Sequence, residues 1–291
     1  MPSVHANGID LCDETIGSGD PLLLVHGLGG QLIDWADDLC RKISDRGFAV
    51  TRYDNRDVGL STKFDDKPRP DLAAILSGDR STAPYRVADM AADAAGLIEA
   101  LGLAPVHVVG VSMGGMIVQQ LAIDRPDLVR SLCSIMSTTG DPSVGRPSDA
   151  ALQVLLTPPP TEREAFCDRE VETWKVIGSP GFPFDEAEVR RRAAAAFDRS
   201  FCPEGVARQL AAILASPDRT EALGSVHAPA LVIHGEDDAL INVSGGRATA
   251  AAIPGAELLL IPGMGHSLPP EVWDQVVEAI VANATRATAA A

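Results

Sequence analysis

Short runs of consecutive apolar residues recur along the chain and alternate with longer stretches in which apolar positions fall at helical spacing. Continuous apolar runs mark strands buried on both faces, and the helical stripes between them mark covering helices. The strand runs are residues 21–25, 48–53, 106–111, 129–136, 230–234 and 257–261. Two further strands, before and after Asn7-Gly8, form a hairpin, because Asn-Gly is the favoured two-residue turn. Helices are predicted over 32–45, 85–101, from Ser112 to Arg125-Pro126, 246–253 and 271–282, while the Pro-rich and polar stretch 63–84 reads as loop. Strand and helix in alternation give an α/β chain whose sheet is mostly parallel, eight-stranded by this count, with helices on both faces.

The pattern changes between residues 139 and 228. No strand is predicted there, only helical runs at 162–177, 185–200 and 204–215, separated by turn residues such as Gly178-Ser179-Pro180-Gly181. Placed after the sixth strand, this stretch is expected to be a helical cap domain, with 1–138 and 229–291 as the core domain. The charged turn 54–61 is expected to pair its own side chains at the sheet rim, and the Ala-rich tail 284–291 to fray.

Composition narrows the classes. Of 291 residues, 46% are hydrophobic, enough for a large core, and no apolar run is long enough to cross a membrane. The start lacks the basic and apolar blocks of a signal peptide, so the expected compartment is cytoplasmic. A net charge of −16 argues against nucleic acid and anionic membrane surfaces as partners. Five scattered cysteines without a C-x-x-C pair argue against disulfides and a zinc site. A monomer or a homodimer is expected.

The candidate chemistry centres on Gly110-Val111-Ser112-Met113-Gly114, where a strand breaks at a serine between glycines and a helix begins. A serine on so sharp a turn is pushed out of the fold, and small residues two before and two after avoid collision. A serine hydroxyl needs a base, usually a histidine held by a carboxylate. Such groups gather beyond the carboxyl ends of parallel strands. Of the histidines, only His26 and His266 stand just after strands, and His266 lies on a Gly-rich loop free to reach Ser112. For the carboxylate, Glu236, Asp237 and Asp238 follow the strand at 230–234, and Asp141 is a further candidate; residue spacing does not rank them. The oxyanion of a tetrahedral intermediate needs two donors, assigned to the backbone N–H of Met113 and of Leu28 in His26-Gly27-Leu28-Gly29-Gly30.

With a Gly-x-Ser-x-Gly elbow, an HG loop, and acid and histidine following the serine in that order, the sequence resembles the α/β-hydrolase superfamily over nearly its whole length. The resemblance implies that Asp238 is the acid, with Asp237 second. Segments 53–61, 134–141 and 262–266 look like a bacterial carboxylesterase branch that includes the aclacinomycin methylesterases and the LipG-type esterases. That implies a serine carboxylic-ester hydrolase without cofactor or metal, acting through an acyl-enzyme on a small or medium hydrophobic ester. An enol-lactonase or cofactor-free perhydrolase would use the same triad, and a non-catalytic binding protein would share the fold. Trp174, Phe182 and Phe184 are the pocket candidates. With Phe197 and Phe201 they would otherwise form the cap's own core.

Overall fold

The computed structural model describes residues 3–289, with side chains through residue 287. Its sheet has eight strands: β1 (Ser3–Ala6), β2 (Ile9–Ile16), β3 (Asp20–Val25), β4 (Phe48–Tyr53), β5 (Val106–Val111), β6 (Val129–Ile135), β7 (Ala230–Gly235) and β8 (Glu257–Ile261). Their order is β1-β2-β4-β3-β5-β6-β7-β8. The β1–β2 and β2–β4 pairs are antiparallel and every later pair is parallel. Strands β5 and β7 are buried at every position, as their unbroken apolar runs require.

Helices α3 (Val87–Ala100) and α4 (Met113–Asp124) pack on one face of the sheet through Met90, Leu97, Ile98 and Ile117. On the other face, α1 (Asp37–Ser44) and α10 (Trp273–Ala289) pack through Leu39, Ile43, Val276 and Ile280. Helix α9 (Ser244–Ala252) joins β7 to β8. Among the described residues, no helix is long and apolar enough to cross a membrane.

Several boundaries differ from expectation. The helix expected over 32–45 is a short 3₁₀ turn, Leu32–Asp34, followed by α1, because Trp35 takes an extended conformation between them. Within the stretch read as loop, Leu72–Leu76 forms a short helix (α2), whose cap Asp71 accepts from the Ala74 N–H. The tail does not fray where expected: α10 continues to Ala289, and residues 290–291 lie outside the described residues. Ala284 is buried, Asn283 Nδ2 donates to Leu132 O (3.0 Å), and Arg286 donates to Ala230 O (2.8 Å). These contacts tie the last turns to the sheet.

Between β6 and β7 lie α5 (Asp149–Leu156), α6 (Arg163–Ile177), α7 (Glu186–Arg199) and α8 (Pro203–Ala215). Helix α5, which the turn-rich pattern hid, is capped by Ser148, whose side chain accepts from Ala151 N–H.

The charged turn after β4 does not pair locally. The side chain of Asp54 is buried, accepts from Leu32 N–H (2.7 Å) and Leu60 N–H (2.8 Å), and pairs with Arg199 on α7 (2.7 Å). Asp57, equally buried, takes two hydrogen bonds from Arg208 on α8 (2.7 and 2.9 Å), one from Tyr85 Oη (2.6 Å) and one from Phe64 N–H (2.8 Å). Arg56 pairs with Asp93 on α3, its guanidinium over the Phe64 and Tyr85 rings. A buried carboxylate persists only when charge and hydrogen bonds replace its lost hydration, and one short turn lacks the cations for that. The partners are therefore distant in sequence.

Candidate active site

Ser112 sits between β5 and α4 with φ 55° and ψ −120°, a conformation disfavoured for any residue with a Cβ. Its neighbours permit the turn. A Cβ on Gly110 would lie 2.2 Å from Gly114 O, and one on Gly114 would lie 2.0 Å from Val25 O. The turn is held from behind, where Ser112 N–H donates to Ile135 O (2.9 Å) and Ser137 Oγ donates to Ser112 O (2.8 Å).

The structure brings Ser112, His266 and Asp238 together. Ser112 Oγ lies 2.9 Å from His266 Nε2, and His266 Nδ1 lies 2.8 Å from Asp238 Oδ2. A carboxylate only accepts, so Nδ1 carries the proton and Nε2 is left to accept from the serine hydroxyl. Asp238 Oδ1 is occupied by the N–H groups of Leu240 and Ile241, each at 2.9 Å. These bonds fix the direction of the carboxylate. His234 on β7 stands 3.6 Å from Asp238 Oδ2, and its Nε2 donates to Ile241 O (2.7 Å). Burial pushes its pKa below the ordinary histidine value, so it stays neutral and adds no second cation beside the carboxylate.

The other acids do different work. Asp237 Oδ2 accepts from Gly263 N–H (2.9 Å), which steadies the loop carrying His266. Glu236 faces Arg247 at 3.8 Å. Asp141 closes its own turn by accepting from Ser143 N–H (2.8 Å).

The loop bearing His266 is also held by residues beyond the core strands, which sequence reasoning missed. His266 N–H donates to Ile177 O (2.7 Å), Gly265 N–H to Ser179 Oγ (3.0 Å) and Gly181 N–H to Gly263 O (2.9 Å). A Cβ on Gly265 would lie 2.0 Å from Gly178 O. The signal available in the sequence was Gly178-Ser179-Pro180-Gly181, which marks a turn but not what the turn grips.

On the other side of Ser112 lies the loop after β3. A Cβ on Gly27 would stand 3.0 Å from Ser112 Cβ, a tight contact that glycine avoids. Met113 N–H belongs to the first turn of α4, where no intrahelical acceptor exists. Neither Met113 nor Leu28 donates its N–H to a protein acceptor among the described residues. His26 is not a second base: burial lowers its pKa, and its ring packs edge-on against Trp35.

The pocket candidates part company. Phe182 packs against the core cluster that includes Ile261 and Met264. Phe184 is 43% exposed. Trp174 lies under the Arg192 guanidinium, 5.9 Å from its ring centre. Phe197, Phe201 and Phe166 cluster with ring centroids 4.5 to 5.5 Å apart, each half-buried.

The arrangement can deprotonate a serine hydroxyl as it attacks a carbonyl, and it has unengaged N–H groups near the attacking oxygen. A family model described as alpha/beta hydrolase fold matches residues 20–271. Rhodomycin D methylesterase DauP of Streptomyces sp. (strain C5) is 30% identical over 317 residues, covering 99% of this chain and 100% of the relative. Rhodomycin D methylesterase DnrP of Streptomyces peucetius is 30% identical over 296 residues, covering 94% of each. Among solved structures, the enol-lactonase from Burkholderia xenovorans LB400 superimposes with a TM-score of 0.74 at 23% identity, covering 98% of this chain and 100% of the other. At that identity the likeness is one of fold.

Proposed function

The chain belongs to the alpha/beta hydrolase family, and from that premise we propose that it is a serine hydrolase of carboxylic esters, with Ser112, His266 and Asp238 as its triad. The observation that carries the proposal is the continuous hydrogen-bonded line from Ser112 Oγ through His266 to Asp238. Ser112 Oγ attacks the ester carbonyl while its proton passes to His266 Nε2. Asp238 stabilises the imidazolium that forms. The negative oxygen of the tetrahedral intermediate is held by the N–H groups of Leu28 and Met113. His266 then gives the proton to the departing alcohol, leaving an acyl-enzyme. Water activated by the same imidazole attacks next, and the acid product leaves with Ser112 restored.

The finer reading is that the ester is a methyl ester or another ester of a small alcohol, on a hydrophobic acyl portion. The substrate named for the two relatives supports it. Residues 139–228 serve in this reading as a cap domain over the core of 1–138 and 229–291. The support is that helices α6 and α8 reach the two loops beside Ser112, through Ile177 O and Gln209. Trp174, Phe182 and Phe184 are the cap domain's pocket candidates.

Initial rates on p-nitrophenyl esters from acetate to palmitate, and on methyl esters of aromatic acids, test the proposal with Ser112→Ala beside the wild type. Loss of at least about a thousandfold in kcat, with an unchanged melting temperature, is expected. A folded Ser112→Ala protein with wild-type turnover would sink it.

A further inference from the structure

Gln209 on α8 is fully buried, and both ends of its amide are used. Its Oε1 accepts from Gly29 N–H (2.9 Å), in the loop beside Ser112. Its Nε2 donates to Arg56 O (2.7 Å), in the turn after β4. One side chain from an inserted helix thus joins two loops of the core.

The loop it grips has a particular form. Gly30 N–H donates to Gly27 O (3.2 Å), closing a four-residue turn. Within it only Gly29, the third residue, has a positive φ, at +70°. That is a type II turn, which differs from type I by a rotation of roughly 150° of the peptide between its second and third residues. The rotating peptide here joins Leu28 to Gly29, and its N–H is the group that Gln209 accepts from. Flipping it would turn that N–H away from Gln209 and release the turn whose second residue, Leu28, carries the proposed oxyanion donor. The same loop runs close to Ser112, since a Cβ on Gly27 would lie 3.0 Å from Ser112 Cβ.

Helix α8 is itself fixed, so Gln209 makes a rigid reference point. Arg208, the preceding residue, is paired with the buried Asp57. A Cβ on Gly205 would lie 2.1 Å from Asp57 O, and Val206 side-chain carbons stand 3.3 to 3.4 Å from where a Gly29 Cβ would be.

We propose that Gln209 is a positioning residue for ester hydrolysis: by tying the Leu28–Gly29 peptide to α8, it fixes where this turn stands beside Ser112 and so where the Leu28 N–H meets the oxyanion. This rests on the serine-hydrolase reading. A residue that acts on the oxyanion should alter the tetrahedral state and leave ground-state binding alone. The consequence is a loss in kcat with little change in KM.

The test compares wild type with Gln209→Met, which keeps the length but loses both polar ends, Gln209→Asn, which falls one methylene short, and Gln209→Glu, which keeps an acceptor for Gly29. Each is measured on p-nitrophenyl acetate and against a methyl trifluoromethyl ketone. In that inhibitor the Ser112 oxygen bonds to the ketone carbon, the carbonyl electron pair moves to oxygen, and the serine proton passes to His266. Gln209→Met and Gln209→Asn should lose about tenfold or more in kcat per folded molecule, less than removal of an oxyanion donor outright. Their affinity for the ketone should fall by the same factor, with KM within about twofold. Gln209→Glu should recover most of the loss. Wild-type kcat in folded Gln209→Met or Gln209→Asn, a loss confined to KM, or no recovery with Gln209→Glu would overturn the proposal. A folded wild type that hydrolyses no ester would overturn the serine-hydrolase reading, and this proposal with it.

Discussion

Asp238 and Asp57 both have fully buried side chains, yet they sit in opposite kinds of surroundings. Asp57 faces a permanent cation, and its bonds from Arg208, Tyr85 and Phe64 leave neither oxygen unengaged. The hydrogen bonds to Asp57 raise the Arg208 pKa above its ordinary value, so the guanidinium stays charged. Asp238 faces a histidine, and its remaining oxygen is held by two backbone N–H groups. The first carboxylate is placed to be static, and the second to stabilise a charge that appears only when His266 takes a proton. Burial alone therefore says little about role; the partner's ability to change charge separates a strut from a catalyst.

The comparison breaks most visibly under isosteric substitution. Asp238→Asn should lower kcat by about a thousandfold or more, because an amide can donate to Nδ1 and favour the wrong tautomer. Its melting temperature should stay within a few degrees of wild type. Asp57→Asn should do the reverse: it leaves the buried Arg208 with only the exposed Asp65, 3.4 Å away, as counter-charge, at a cost of about 3 kcal/mol in denaturant unfolding. Asn tolerates the positive φ of residue 57 (73°), so backbone strain is not added. Activity per folded molecule should remain within a few-fold. Equal loss of activity in both variants would erase the distinction.

Acidification gives a smaller effect that belongs to neither carboxylate. His107 on β5 is buried, with Nδ1 2.7 Å from Ser131 Oγ, and burial pushes its pKa down to about 4. In the unfolded chain it returns to about 6.5. Between those values the unfolded state binds more protons, so stability rises with pH and is lost as pH falls through that window. Melting curves at pH 7 and pH 5 should show a larger drop for wild type than for His107→Gln. An identical drop would show that His107 does not titrate this way.

The smallest effect sharpens the acid assignment. Asp237 supports the His266 loop through one bond to Gly263 N–H, so Asp237→Ala should cost about one hydrogen bond, roughly 1 kcal/mol or about fivefold in kcat. A loss matching that of Asp238→Asn would reassign the acid.

The sheet, its order of strand and helix, and the gathering of Ser112, His266 and an acid near one edge were legible because each rests on local rules. Apolar runs define strands, glycines permit the turn at Ser112, and loops after parallel strands share one edge. The charged turn was misread for the opposite reason. Asp54 and Asp57 take their partners from Arg199 and Arg208, on helices 145 and 151 positions later, and spacing carries no record of such pairs. Gln209 and Ile177 were invisible on the same ground. One acts through a side chain on a helix without a motif, and the other through a backbone carbonyl that any residue would supply.

The most direct measurement of the central claim is peptide mass spectrometry after treatment with a fluorophosphonate, with His266→Ala in parallel. The phosphorus should bond to Ser112 Oγ as fluoride leaves and His266 takes the proton, and the label should be lost or greatly slowed in the variant. A folded wild type that stays unlabelled, or that carries the label on another residue, would contradict the assignment of Ser112 as an activated nucleophile.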